Sequence, residues 1–431
     1  MICFLLIYKP NTSKAQVRAQ NTDSLLNSKP FINWARDHAF PLQNSDSALG
    51  YTDLQPIKRM IGNARVVALG EPSHGFHEPL GFRNRMFHFL VENCGFTTVV
   101  LEGGFAESRM AADFVAGGPG TAKDAAAKLT IGEPSGENIE LLQWIRDYNA
   151  NPAHRRKLEF YGMDIQLRGF PGDTTPAHAA IDEALSYLDK VVTVEGVKIK
   201  SVLSSYLSRL SVSKYPLLSS EDRIRLSATL DDLIALFERE QINFIGRSSK
   251  ANYEWGYRNA VVAQLIDRMV RVMPPDQPGK IPPDAWMLVN ARDAAMADNV
   301  MWILDHRADG GKVLVFSHNA HVKNDFTVGG VWDAFAKPPN STGQYLKSML
   351  GNDLFIIGSS CAPSMATAQP GSLDNALLQV GKSRYIIDLR AAAGNSSVAS
   401  WLRKRRPMES NKVSYLMIDV SNAFDAILFI K

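Results

Sequence analysis

Glu71 and His74 stand three residues apart in ALGEPSHG (68–75), directly after the apolar run Arg65–Gly70. An imidazole oriented by a carboxylate can take a proton from water. Similar groups close other apolar runs. Glu102 ends Thr97–Glu102 ahead of Gly103 and Gly104, Asp164 ends Leu158–Asp164, and His318 and His321 follow Lys312–Ser317 in SHNAH. In a parallel sheet the carboxyl ends of the strands share one edge, and ligand crevices lie outside it. Four strands thus aim three carboxylates and three imidazoles at one place. Singly, most have ordinary explanations: Glu71 as a helix-start charge, His74 as a loop histidine, Asp164 as a cap, His318 and His321 as a turn pair. Glu102 resists this, because a carboxylate behind such an apolar run needs a cation.

Two arginines meet that need. Arg83 lies beside the stripe Leu80, Phe87 and Leu90 of a helix expected over His77–Cys94. It either snorkels from the stripe or pairs with Glu71 or Glu102. Arg292, in VNARDAAMADNVMWIL, falls on the strand-end side, and its neighbour Asp293 reads as a helix-start charge. The chain has no G-x-S-x-G, H-E-x-x-H, cysteine ligand cluster, G-x-G-x-x-G or Walker loop. What remains is a water-activating histidine among carboxylates and arginines, a set suited to hydrolysis without a covalent intermediate. Glu71, His74, Glu102, His318 and His321 could instead hold a divalent ion. The arginines argue against a site already filled by a cation. GEPSG recurs at 132–136 without a histidine, and Ser135 there reads as a helix cap, so the turn alone carries no chemistry.

The elements that must position these groups are short apolar runs alternating with helical patterns. The runs are Arg65–Gly70, Thr97–Glu102, Leu158–Asp164, Trp286–Asn290, Lys312–Ser317, Asp353–Ser360 and Tyr385–Leu389, with a final pair at Val413–Val420 and Ala426–Ile430. Near-continuous runs suit strands buried on both faces. The expected fold is α/β: a central, mostly parallel sheet flanked by helices. Residues 175 to 274 contain no strand pattern and read as an inserted all-helical lobe, with helices at Ala177–Leu188, Val202–Leu210, Glu221–Gln241 and Tyr253–Val272. That lobe forms one wall of the expected cleft. Residues 31–174 and 275–431 make the α/β domain, and 1–30 a poorly ordered tail.

Composition bounds the partners. Of 431 residues 45% are hydrophobic and 21% charged, and the net charge of +3 offers no basis for binding nucleic acid or an anionic membrane. Cys3, Cys94 and Cys361 are too few and too scattered for a disulfide framework. No run approaches a membrane span, and the N-terminal MICFLLIYKP is too short for one. The expectation is a cytoplasmic protein, with a decayed export signal as the alternative.

The blocks GEPSHG, FRNRMFHFLVENCGFTTVVLEGGFAESR, RDAAMADNVMWIL and KVLVFSHNAHV, in that order across most of residues 65 to 325, resemble the erythromycin esterase family. The resemblance implies a metal-independent hydrolase that opens a small-molecule macrolide lactone with activated water; no cofactor is expected, and the oligomeric state is left open with a monomer favoured. It implies His74 as general base, Glu71 and Glu102 as orienting groups, and Arg83, Arg292, His318 and His321 as the site lining that stabilises charge. Asp164 joins them as a substrate contact on the strand-end argument alone. Metal-dependent relatives on the same layout leave open a metal hydrolase of another ester or amide, and a non-catalytic ligand binder is a third reading. Ser73 stands where threonine is expected and Pro72 stiffens the loop; neither removes a proton-transfer group.

Overall fold

The computed structural model describes residues 28–43, 50–129, 134–165, 178–211, 214–272, 282–306, 310–361, 368–411 and 414–431. The N-terminal apolar run and both boundaries expected for the helical lobe lie outside these residues. Ten strands are described: β1 Phe40–Pro41, β2 Val66–Glu71, β3 Phe96–Gly104, β4 Glu159–Asp164, β5 Lys312–His318, β6 Leu354–Cys361, β7 Arg384–Asp388, β8 Arg406–Ser410, β9 Ser414–Ile418 and β10 Ala426–Ile430. Eight form one sheet in the order β1-β7-β10-β6-β2-β5-β3-β4. From β10 to β4 every neighbouring pair is parallel; only β7 runs against its neighbours. The expected α/β architecture is therefore present.

The apolar runs make strands because both faces are covered. Successive residues alternate between two cores: Val66 and Ala68 of β2 with Val313 and Val315 of β5 in one, Val67 and Leu69 with Leu314 and Phe316 in the other. Helices His77–Cys94 and Gly136–Ala150 close the second core. The first is covered by helix Trp286–Asp305 and by helices Ala179–Val191, Val194–Ser204, Ser220–Arg239 and Lys250–Arg271.

Three expectations fail. Trp286–Asn290 is the start of helix Trp286–Asp305, not a strand. A five-residue apolar run fits either state, and here Leu288, Val289, Met296, Val300, Ile303 and Leu304 continue it at helical spacing on the buried face. The helix expected at Val202–Leu210 ends at Ser204 and begins at Val194, where the Thr193 side chain caps it by accepting from the Gly196 N–H. The last two strands do not pair with each other. β9 pairs antiparallel with β8 in a separate two-stranded ribbon, whereas β10 inserts between β6 and β7.

One close approach sets the edge where the site lies. The Asn319 amide donates to the Ser359 carbonyl at 2.7 Å and accepts from the Ser359 N–H at 3.1 Å, tying the end of β5 across to β6. It passes over Gly70, where an added Cβ would meet Asn319 Oδ1 at 2.1 Å and Val322 Cγ2 at 2.9 Å. Gly70→Ala therefore lowers the unfolding free energy by about 1–3 kcal/mol, read from urea denaturation; an unchanged midpoint would show that the bridge yields freely.

Candidate active site

β2, β5, β3 and β4 are contiguous and parallel, so their carboxyl ends deliver Glu71, His318, Glu102 and Asp164 side by side. Glu71 pairs directly with His318 in the β2–β5 register. The β3–β5 ladder stops at Leu101–Phe316. Beyond that point the Glu102 side chain replaces the ladder: Oε2 accepts the His318 backbone N–H at 2.9 Å and the Ser317 hydroxyl at 2.7 Å.

Arg292 occupies the centre. Its Nε and Nη2 donate to Asp164 Oδ1 and Oδ2 at 2.9 and 2.7 Å, a bidentate pair, and Nη2 also reaches Glu102 Oε1 at 3.2 Å. Burial works against the charge, but Asp164 and Glu102 more than offset it and push the Arg292 pKa upward. Burial likewise raises the Glu102 carboxyl, yet His74, Arg292 and the His318 backbone N–H hold it well below the usual carboxylate range. Arg292 Nη1 donates to His321 Nε2 at 3.1 Å. An accepting Nε2 leaves the His321 proton on Nδ1, which donates to Asp293 Oδ1 at 2.8 Å. Asp293 Oδ1 also takes the Thr342 N–H and hydroxyl at 2.8 and 2.9 Å.

His74 lies at the rim. Its Nδ1 meets Glu71 Oε1 at 2.7 Å, and its side chain keeps 42% exposure while that of Glu71 keeps 7%. With Nδ1 committed to the carboxylate, Nε2 is the ring nitrogen left for a ligand. Burial lowers the His74 pKa, but Glu102 and Glu71 prevail and raise it to about 9. His318 is buried 5.2 Å from His74, ring centre to ring centre. Its Nδ1 accepts the Ala320 N–H at 3.1 Å and its Nε2 donates to the Pro72 carbonyl at 2.9 Å.

The structure brings Glu71, His74, Glu102, Asp164, Arg292, His318 and His321 together. Asp164 does not stand as the substrate contact expected of it: it is 1% exposed and spends both oxygens on Arg292. Arg83 does not pair with Glu71 or Glu102. Its buried guanidinium donates to Asn84 Oδ1 and Asn138 Oδ1, at 2.8 Å to each from its Nη atoms, and lies 5.1 Å over the Phe316 ring. It ties helix Gly136–Ala150 to helix His77–Cys94, and burial pulls its pKa down to about 10 against the pull of Glu71 and Glu137. Sequence reasoning missed Asp293, Thr342 and Ser317. Asp293 sits two turns into its helix rather than at its start, a position hidden while Trp286–Asn290 read as a strand.

For a divalent ion, the described residues contain no group of three or more histidine, cysteine, aspartate or glutamate side chains arranged to hold one. The space between Glu102, Asp164 and His321 is taken by the Arg292 guanidinium. Among the described residues no helix is long and apolar enough to cross a membrane.

Removing one partner of a buried pair strands the other charge. Asp164→Ala should therefore cost about 3–5 kcal/mol of folding free energy, measured by chemical denaturation; a loss below about 1 kcal/mol would mean that Glu102 alone suffices for Arg292.

Known proteins carry the same arrangement of chain. The sequence profile described as erythromycin esterase matches residues 91–431. An erythromycin esterase type II from Escherichia coli is 27% identical over 334 residues, 76% of each chain. The crystal structure of a protein from Bacillus cereus superposes with a TM-score of 0.78 at 25% identity, covering 94% of this chain and 97% of that one. An erythromycin esterase mutant, EreC, in its open conformation superposes with a TM-score of 0.65 at 15% identity over 88% of this chain and 94% of that one, a likeness of fold. The chain belongs to the erythromycin esterase family.

Proposed function

We propose that this member of the erythromycin esterase family hydrolyses the lactone ester of a macrolide, with His74 as general base toward water. The observation that carries the reading is the Glu71–His74 pair, in which Nδ1 is held at 2.7 Å and the side chain stays 42% exposed, leaving Nε2 as the ring nitrogen not engaged by the carboxylate. The Glu71 carboxylate fixes the Nδ1–H tautomer and steadies the imidazolium formed when Nε2 takes the proton. Water then attacks the lactone carbonyl, and negative charge develops on its oxygen. Arg292 spends four of its five N–H groups on Asp164, Glu102 and His321. The fifth, on Nη1, has no partner among the described residues and would donate to that oxygen, and the collapsing intermediate expels the ring alkoxide, which takes the proton back from His74.

The reading is metal-independent and needs no cofactor. Its support is the arginine lodged among the acids and His321, where a second cation would meet direct repulsion. The helical lobe on the sheet's first face serves as one wall of the substrate cleft. The enzyme would confer macrolide resistance on its host.

Mass spectrometry of macrolides incubated with the purified protein provides the test. The expected product is heavier by one water, forms in the presence of a chelator, and is slowed at least roughly 100-fold by His74→Ala. Absence of product from every macrolide tried would sink the substrate assignment, and inhibition by the chelator would sink the metal-free mechanism.

A further inference from the structure

His318 was expected to stabilise charge, yet its ring is fully engaged with backbone. Nδ1 accepts the Ala320 N–H and so carries no proton; Nε2 must carry it and gives it to the Pro72 carbonyl. The ring is 1% exposed and caps the short helix Asn319–Val322, so it cannot swing out without uncapping that turn. Burial and the neighbouring His74 both disfavour its protonated form. Glu102, His321 and Glu71, the partner of His318 in the β2–β5 register, are the other charged or titratable groups close by, and Glu102 already uses an oxygen on the His318 backbone N–H.

The Pro72 carbonyl has a second donor. The Asn411 N–H reaches it at 3.1 Å from the turn joining β8 to β9. Asn411 holds φ at 54°, the left-handed region that asparagine tolerates better than most residues. The ribbon behind it is anchored. Arg405 makes a bidentate pair with Asp325 at 2.7 and 2.9 Å, and the Glu409 N–H donates to buried Asp374 at 2.8 Å. A carbonyl oxygen has two lone pairs, and two elements far apart in sequence fill both here. Pro72 lies between Glu71 and the Ser73–His74 step, so fixing its carbonyl fixes the plane from which both reactive groups project.

We propose that His318 is a positioning residue: as an Nε2–H donor it clamps the Pro72 carbonyl together with the Asn411 N–H, and thereby holds the Glu71–His74 loop in register. It transfers no proton. The kinetic part of this assignment rests on the hydrolase reading above; the tautomer does not.

Imidazole nitrogen NMR on the intact protein reads the tautomer without any substrate. His318 is expected as the neutral Nε2–H form, with no titration step from about pH 5 to 9. A step in that range, or an Nδ1–H form, overturns the proposal. Two variants supply the kinetic arm. His318→Gln keeps a donor at the Nε2 position, whereas His318→Asn keeps the acceptor that caps Ala320 but falls short of Pro72. With folding verified by circular dichroism, the Gln variant should keep at least about ten times the kcat of the Asn variant, with KM shared within roughly threefold. Equal losses in two folded variants contradict the clamp. Should the wild type open no macrolide, the hydrolase reading fails and the NMR result alone decides the tautomer.

Discussion

A buried guanidinium organises this site. Arg292 brings a full positive charge to the ends of four parallel strands, and low-dielectric surroundings tolerate that only with negative charge in bonded contact. Asp164 supplies the bidentate partner from β4 and Glu102 a further oxygen from β3. The requirement runs outward. Glu102 stays ionised beside Arg292, accepts the His318 N–H where the strand ladder breaks, and so sets where β5 leaves the sheet. His321 takes the other side of Arg292 and is oriented by Asp293, which in turn holds the start of helix Thr342–Leu350.

The same acids govern His74. The negative field of Glu102 and Glu71 makes its ring more basic than an ordinary imidazole. A stronger base is a better proton acceptor but is free of its proton less often at neutral pH. His318, a short step away, contributes no positive charge to oppose this, since burial holds its pKa down at about 3. Two adjacent histidines thus differ in character through surroundings alone: one exposed and paired with a carboxylate, the other buried and saturated by backbone.

Much of the site was legible because strand-end chemistry is a matter of order along the chain. Apolar runs mark the strands, and a parallel sheet sends whatever follows them to one edge, which brings Glu71, Glu102, Asp164, His318 and His321 into one account. Roles were harder to read. Asp164 and Arg83 are both buried, and whether a buried charge meets an ion partner or an amide is decided by which side chains the fold brings alongside: Asp164 finds Arg292 from a distant helix, while Arg83 finds its neighbour Asn84 and, across helices, Asn138. Asp293 looked like a helix-start charge because the Trp286–Asn290 run looked like a strand, so one error of period concealed a site residue. The ribbon contact to Pro72 left no signal, since a backbone N–H carries none.

The account's central claim is that Glu71 makes His74 the base. The pH dependence of kcat/KM for ring opening, compared between the wild type and Glu71→Gln, tests it most directly, because it reports the free enzyme's essential groups. A base acts only when unprotonated, so the rate must rise with pH, with the wild-type midpoint near the about 9 expected for His74. Loss of the Glu71 charge removes one of the influences that raise it, so the limb moves to lower pH as the rate falls. A wild-type limb at the ordinary imidazole value of 6.5, unmoved by Glu71→Gln, would contradict the account.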